Sequence, residues 1–423
     1  MSRDARRLAW LVLAAILALT LLLRAAVTGL SPLLPRVAAD VPLTPIEAGL
    51  LGAMPPACFA AAALLGPVLL RRFAAEHLVL ASLALGAAGQ LVRPFVDGPA
   101  AFMAMSAVAL LGAGTGNVVL PVLAKAWFPN RIPSVTAVYV TGLTLGTAVP
   151  SLVAVPLADA VRSSFGDPAL GWQVSLGWWG GLCLLVALAW LVPAARPRAV
   201  PTPDDGPAPP RGLWRSRTAV GVLCIFASNA LVSYACFAWL PTRLTDAGTS
   251  ETSAGAVLAL FAAMGIPAAL LVPQLAARVH PRWITVQFAV FFSAGMLGFL
   301  LSPTVGTPVW AVVAGWGTGG FPLALTLVGL RTRTPAAAGA LSGFVQGGGY
   351  VVAGVGPIAV GALHEVTGGW TAPMLLLAAG SGIMVVGGLL AGRGTVEADL
   401  ERRSPQAVAA RPVRQTVPDT LER

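Results

Sequence analysis

The chain has 423 residues, of which 57% are hydrophobic and only 10% charged, with a formal net charge of +10 and a mean hydropathy of +0.80. A soluble globular domain carries about 25% charged residues, so a water-exposed surface is excluded, and with it the reading of the positive charge as a nucleic-acid footprint. The four cysteines, Cys58, Cys183, Cys224 and Cys236, all lie in apolar segments without ligand-like spacing, which predicts small buried hydrophobes and neither a metal site nor a disulfide framework.

Apolar stretches long enough to cross a bilayer core recur along the chain. Twelve spans are predicted, at 8–31, 46–70, 77–96, 99–123, 133–158, 172–192, 218–240, 253–276, 283–302, 306–330, 336–363 and 370–391. The 47 glycines and 35 prolines suit membrane helices, where both are more frequent than in soluble ones and small residues let helices approach closely.

The first span reads LALTLLLRAAVTGLSPLLP and carries Arg24 with no acidic residue nearby. At 1.5 Å per residue Arg24 lies roughly 24 Å along that helix, in the half away from the N-terminus. Two readings stay open: an arginine snorkelling to headgroups, or one facing a central cavity to meet an anionic solute, for which a guanidinium offers a rigid fork of donors. Thr28, four residues on, would extend the same face. Pro32 would bend the span near its end. Gln90 in span 3 is a weaker lining candidate. Span 4 carries Asn117 inside GAGTGNVVLP; it serves either as interhelical glue or as a lining group. The GxGxG spacing there follows no strand, so it is not a dinucleotide loop. Tyr139 is a weaker candidate in span 5.

Residues 193–217, rich in Pro and Arg, read as a linker between two groups of six spans. Span 7 offers Asn229 and Ser233 on one face, with Tyr234 beside them. Span 11 reads ALSGFVQGGGYVVAGVGPIAVGALHE: Gln346 and Tyr350 are four apart and share a face, which Ser342 extends. Gln346 is a solute contact or a satisfied core amide; Tyr350 stacks or donates a hydrogen bond. Residues 392–423 are charged and turn-rich, and predict a disordered tail. Organisation is therefore 1–192 as a first six-helix half, 193–217 as a cytoplasmic linker, 218–391 as a second half and 392–423 as a cytoplasmic tail.

The basic residues set an orientation. Arg36, Arg93, Arg162 and Arg243 fall at or beyond one membrane face and Arg24 lies within; every other Lys and Arg falls on the side of the N-terminus. The positive-inside rule then places both termini in the cytoplasm. Almost no Asp or Glu falls between the span ends, which disfavours a cationic cargo and any proton relay through an embedded carboxylate. No paired carboxylates, nucleophilic constellation or metal cluster points to an enzyme.

The two groups of spans repeat one another. LPRVAADVPLTPIEAG, from Leu34, matches LPTRLTDAGTSETSAG, from Leu240, mostly at an offset of 206. Pro67 and Pro273, and Arg72 and Arg278, keep that offset, and GAGTGN from Gly112 returns as GWGTGG from Gly315. Two six-helix halves in the same orientation fit parallel repeats about an axis along the membrane normal, which rock against each other.

Several stretches together carry a family resemblance: LLRAAVTGLSPLLP around Arg24, GNVVLPVLAKAWFP (Gly116 to Pro129), WLPTRLTDAG (Trp239 to Gly248), LALTLVGLRTRTP (Leu323 to Pro335) and LSGFVQGGGY. The chain resembles the bacterial cyanate and 2-nitroimidazole transporter family of the major facilitator superfamily. It departs from the family's usual Asn-Leu-Arg-Pro-Ala at Leu22 and Ala25, and its GPVLLRRFAAEH keeps Gly66, Arg71 and Arg72 of the superfamily loop but lacks the Asp and second Gly. The resemblance implies an all-α integral membrane protein of twelve transmembrane helices in two pseudo-symmetric halves, and secondary active transport at the bacterial inner membrane. The expected cargo is a small anion or compact polar heterocycle held by Arg24, Asn117 and Gln346 and shaped by Tyr350, Asn229, Thr28, Tyr139 and Ser233. Multidrug efflux is the alternative. No cofactor is expected, coupling to protons is left open, and the partners are the solute and membrane lipid, with a monomer as the default.

Overall fold

The structure, a computed structural model, describes residues 3–198 and 210–402. Residues 199–209 of the expected linker and 403–423 of the expected tail lie outside them. Among the described residues, twelve helices are long and apolar enough to cross a membrane: α1 (Leu8–Asp40), α2 (Ile46–Arg72), α3 (Ala75–Phe95), α4 (Pro99–Trp127), α5 (Ser134–Phe165), α6 (Pro168–Ala194), α7 (Arg217–Asp246), α8 (Glu251–Arg278), α9 (Pro281–Leu301), α10 (Thr307–Leu330), α11 (Ala336–Thr367) and α12 (Thr371–Ala391). Each corresponds to a predicted span. In lipid every backbone polar group must be satisfied internally, which is why these runs become helices. Thr44 and Glu47 start α2 with a reciprocal capping box, and Asp167, Ser216, Ser250 and Thr334 cap α6, α7, α8 and α11 through their side chains.

With an even number of crossings, the ends of the chain share one side of the bundle, here the terminal side; the other is the far side. The sequence repeat has a physical counterpart. Asp40, the last helical residue of α1, accepts a hydrogen bond from the Trp172 indole of α6 at 2.6 Å. Asp246, its equivalent in α7, accepts one from Trp370, just before α12, at 3.0 Å. A carboxylate at a helix C-terminus opposes the helix dipole, so these acids are placed for the indoles. Close packing repeats as well. A Cβ on Gly89 of α3 would sit 2.4 Å from the Ala109 nitrogen of α4, and one on Gly295 of α9 2.4 Å from the Ala314 side chain of α10.

The halves meet on the far side. Gly49 and Gly52 of α2 pack on Pro357 of α11 and Ala238 of α7, and Gly255 of α8 packs on Ser151 and Pro32. The Ser31 hydroxyl donates to the Ala238 carbonyl. Arg36 bonds Asp159 at 2.8 Å and Glu251, across the halves, at 2.6 Å. Toward the terminal side they part. On the α11 face that carries Tyr350 and Pro357, a Cβ on Gly343 or Gly347 would meet nothing within 4 Å. The structure is thus clasped on the far side, while the terminal-side face of α11 at Gly343 and Gly347 is left without close neighbours.

One expectation is corrected at the chain's end. Val396–Glu401 is not disordered but forms a short helix, α13. Its Asp399 accepts from the Ser216 hydroxyl and the Thr218 amide at 2.9 Å each, and Glu397 accepts from the Arg333 amide at 2.7 Å. The charges that suggested disorder are used for docking.

Candidate functional site at Arg24

The span that carries Arg24 is broken there. A helix runs to Leu22, and Arg24 precedes a four-residue helical turn, Ala25–Thr28, followed by a 3-10 segment at Ser31–Leu33. Interrupted helices near the middle of a bundle are where transporters of this architecture build sites. The break sets the guanidinium among three other helices. Arg24 Nη1 donates to the Tyr234 hydroxyl of α7 at 3.0 Å, its guanidinium carbon lies 5.1 Å from the Phe59 ring centre of α2, and the Tyr350 hydroxyl of α11 is also within its reach. Arg24 therefore points into the bundle, touching both halves, and does not snorkel.

Four rings form the surrounding wall. Phe59 meets Tyr234 and Tyr350 edge-on at 6.5 and 6.0 Å, Tyr234 meets Tyr350 at 6.3 Å, and Phe226 meets Tyr350 at 5.2 Å. Such pairings lock ring positions, and a ring face under a guanidinium adds attraction. Tyr234 and Tyr350 are buried, while Arg24 is half-buried. Arg24 offers five N–H donors and, among the described residues, no carboxylate pairs with it. Chemically this is a positive, donor-rich spot on an aromatic floor.

The other predicted residues divide. Tyr350 joins Arg24. Gln346, one turn from Tyr350 toward the terminal side, is half-buried and donates to Ser342 at 2.7 Å, so the predicted face of α11 is real but the amide is occupied locally. Asn117 is half-buried with an unpartnered amide nitrogen; it stands one turn beyond Gly114, whose Cβ position lies 3.2 Å from Phe59. Asn229 and Ser233 are buried, each with an unpartnered oxygen, and Asn229 lies against Gly320 of α10, not against Arg24. Tyr139 is half-buried on α5. Thr28 is a correction: it is fully buried, and its hydroxyl donates to the Thr147 carbonyl of α5 at 2.8 Å. A hydroxyl in an apolar interior takes the nearest carbonyl, so Thr28 clasps two helices and does not extend the arginine's face. Gln90 contacts the Cys183 sulfur at 3.8 Å.

Three further residues matter: Tyr234, named from the sequence only beside Asn229 and Ser233, and two that the sequence reading did not place at the site, Phe59 and Arg93. Tyr234 is the direct partner of Arg24; its signal is that the chain has only three tyrosines. Phe59 is the one aromatic residue in the Ala-rich helix Pro45–Arg72. Arg93, expected as a charge at the far membrane face, is instead fully buried at the end of α3.

Twelve spanning helices in two repeated halves around a central polar group define a membrane transporter. Residues 16–315 match the Major Facilitator Superfamily. The chain is 32% identical over 386 residues to the 2-nitroimidazole transporter of Escherichia coli, covering 90% of this chain and 95% of that protein. It is 28% identical over 350 residues to the cyanate transport protein CynX of Escherichia coli, covering 82% and 88%. Among solved structures, a bacterial homolog of the human lysosomal transporter Spinster superposes with a TM-score of 0.70 at 17% identity, over 92% of this chain and 95% of that one. The chain belongs to the Major Facilitator Superfamily, in the family of the cyanate and 2-nitroimidazole transporters. It is a multi-pass membrane transporter and not an enzyme.

Proposed function

We propose that the chain is a secondary carrier for a small anion or compact polar heterocycle, moved across the bacterial inner membrane by alternating access. The observation that carries this reading is the unneutralised guanidinium of Arg24, set among rings from both halves. A cation held in low dielectric without an acid strongly favours an anionic ligand. The four rings suit a flat solute lying over them, which accommodates cyanate-like anions and nitroimidazole-like rings alike. Beyond the Tyr234 and Tyr350 hydroxyls, Asn117 and Gln346 are the candidates for a second contact.

Both termini lie in the cytoplasm in this reading, because the basic residues concentrate on the terminal side. In that orientation the Arg36 contacts with Asp159 and Glu251 form the outer closure. Rocking one half against the other breaks the Arg36–Glu251 contact and exposes Arg24 to the other face. The carrier works as a monomer without a cofactor, and coupling to protons would not run through an embedded carboxylate.

Uptake into proteoliposomes tests the reading. With cyanate and 2-nitroimidazole as probes, the wild-type protein accumulates one or both, and Arg24→Ala, inserted at the same level, loses accumulation. Undiminished transport by Arg24→Ala removes the arginine from the mechanism.

A further inference from the structure

A second arginine lies in the membrane part of the bundle, and its circumstances are more extreme than those of Arg24. Arg93 has no accessible surface, and its Nε, Nη1 and Nη2 atoms all lack a hydrogen-bond partner. Among the described residues the ion pairs involve Arg36 and Arg333, so no carboxylate neutralises it. A guanidinium does not deprotonate in proteins. Leaving such a charge buried and unpaired is among the most unfavourable arrangements a fold can hold. Water could satisfy its donors but not its charge.

Arg93 is among the residues around a cavity of about 30 Å³ on the far side of Arg24, walled by α1, α2, α4 and α7, with its guanidinium set into the wall. A single water needs about 10–15 Å³ on this measure, so the space suits an ion of two or three heavy atoms and not a larger solute. Its walls are chiefly apolar: Leu30, Leu51, Leu110 and Phe237. The polar groups that line it are specific. Tyr234 spends its oxygen as acceptor from Arg24, which leaves its O–H to donate. The Ser106 and Ser31 hydroxyl protons already go to the Phe102 and Ala238 carbonyls. The cavity therefore has one fixed positive charge in its wall and one free hydroxyl donor, Tyr234, in an apolar shell, which is the chemistry that draws in a compact, weakly hydrated monovalent anion.

We propose that this cavity is a second anion site, built on Arg93 and separated from the Arg24 centre by the Tyr234 side chain. It stands in series with the central site toward the far side, behind the Arg36 clasp. Its occupant is a compact monovalent anion, either the transported solute in passage or a resident halide. The site does not depend on which cargo Arg24 takes.

The test is thermal unfolding of the purified full-length protein at constant ionic strength, with gluconate replaced stepwise by bromide or by cyanate. A ligand that binds only the folded state raises the midpoint with concentration. Expected is a saturable rise in wild type and in Arg24→Gln, with apparent affinity weakened at least about tenfold in Arg93→Gln. A response to bromide identifies a resident halide and a response to cyanate alone identifies cargo in passage; either supports the site. No rise in wild type, or an equal rise in Arg93→Gln, overturns it. A response lost in Arg24→Gln but kept in Arg93→Gln assigns the anion to the central site alone, which sinks this proposal and leaves the proposed function standing. Should Arg93→Gln fail to fold, anomalous diffraction from wild-type crystals grown in bromide decides. A peak beside Arg93 supports the site, and its absence there overturns it.

Discussion

The two halves of this transporter share a framework and divide the chemistry. At the offset of 206 that relates them, Asp40 pairs with Asp246 and Gly89 with Gly295, and each pair does the same work. The functional positions do not follow the repeat. Arg24 has Ala230 as its equivalent, and Thr28 has Tyr234. The first half supplies Arg24 and Arg93, the cations of the central site and of the cavity beside it; the second supplies the tyrosines that meet Arg24. Repetition thus preserves what holds helices together, while asymmetry builds a pathway whose charge lies on one side and whose hydroxyls lie on the other. A solute held between them contacts both halves, so rocking necessarily changes its surroundings.

The strongest way to break this division is to remove the charge. Arg24→Gln should lower transport by at least about 25-fold at unchanged membrane insertion, since losing one partner of a desolvated charged contact costs about 2–5 kcal/mol and each 1.4 kcal/mol is tenfold. Arg24→Lys should not restore it, because an ammonium cannot reproduce the planar fork. Initial uptake rates in proteoliposomes measure both. Tyr234→Phe, on the other half, keeps the ring wall and removes only the hydroxyl that Arg24 bonds. A hydrogen bond to a charged group contributes about 1.5–3 kcal/mol, so solute affinity should fall by about ten- to a hundredfold, less than for Arg24→Gln. Equal losses would mean the tyrosine and not the charge governs binding.

What the sequence makes legible follows the same line. Span length and apolarity are local properties, and all twelve helices are visible in them. Arg24 stands out because a charge inside an apolar run has no local explanation. Phe59 and Arg93 do not stand out. A lone phenylalanine in an Ala-rich helix looks like core, and an arginine before Pro94 near a span end looks like topology. Their roles depend on which way each helix is turned and on what faces it, and that is decided by contacts with α1, α4 and α7. Thr28 shows the converse error. Helical spacing correctly puts it near Arg24 in sequence, but the Thr147 carbonyl, 119 residues away, claims its hydroxyl.

The framework half of the comparison is sharpened by paired substitutions. Asp40→Ala and Asp246→Ala each remove one carboxylate–indole hydrogen bond from an exposed acid. Each should lower stability by about 1 kcal/mol, reduced from the usual charged-bond value by solvent screening. The two effects should agree within about 0.5 kcal/mol and add in the double variant, since distant sites act independently. Unfolding midpoints in detergent read this directly. A large inequality would show that the repeat is a matter of sequence and not of energetics.

The smallest effect concerns how each half ends. After α6 the chain returns to its own half: the Arg198 amide donates to Glu76 at 3.1 Å, and its guanidinium lies 4.1 Å from the Trp127 ring centre. After α12 the chain also returns, but with the acid on the returning segment, Asp399, and the donors on α7. Burial raises the Asp399 carboxyl, yet hydrogen bonds from Thr218 and Ser216, with the charge of Arg402, outweigh it and hold it below its usual range. A depressed folded value means the docking contribution is present above the unfolded carboxylate pKa, about 3.9, and is lost as pH falls through the folded value. Hydrogen exchange of Val396–Glu401, corrected for its intrinsic pH dependence, should therefore report constant protection between pH 5 and 8. Asp399→Ala should lower that protection by a few-fold at every pH in that window, since a half-buried acid still screened by solvent contributes no more than about 1 kcal/mol. Protection that falls between pH 8 and 5 in the wild type would place the controlling proton on a group other than Asp399, and the two returning segments would then differ in mechanism as well as in polarity.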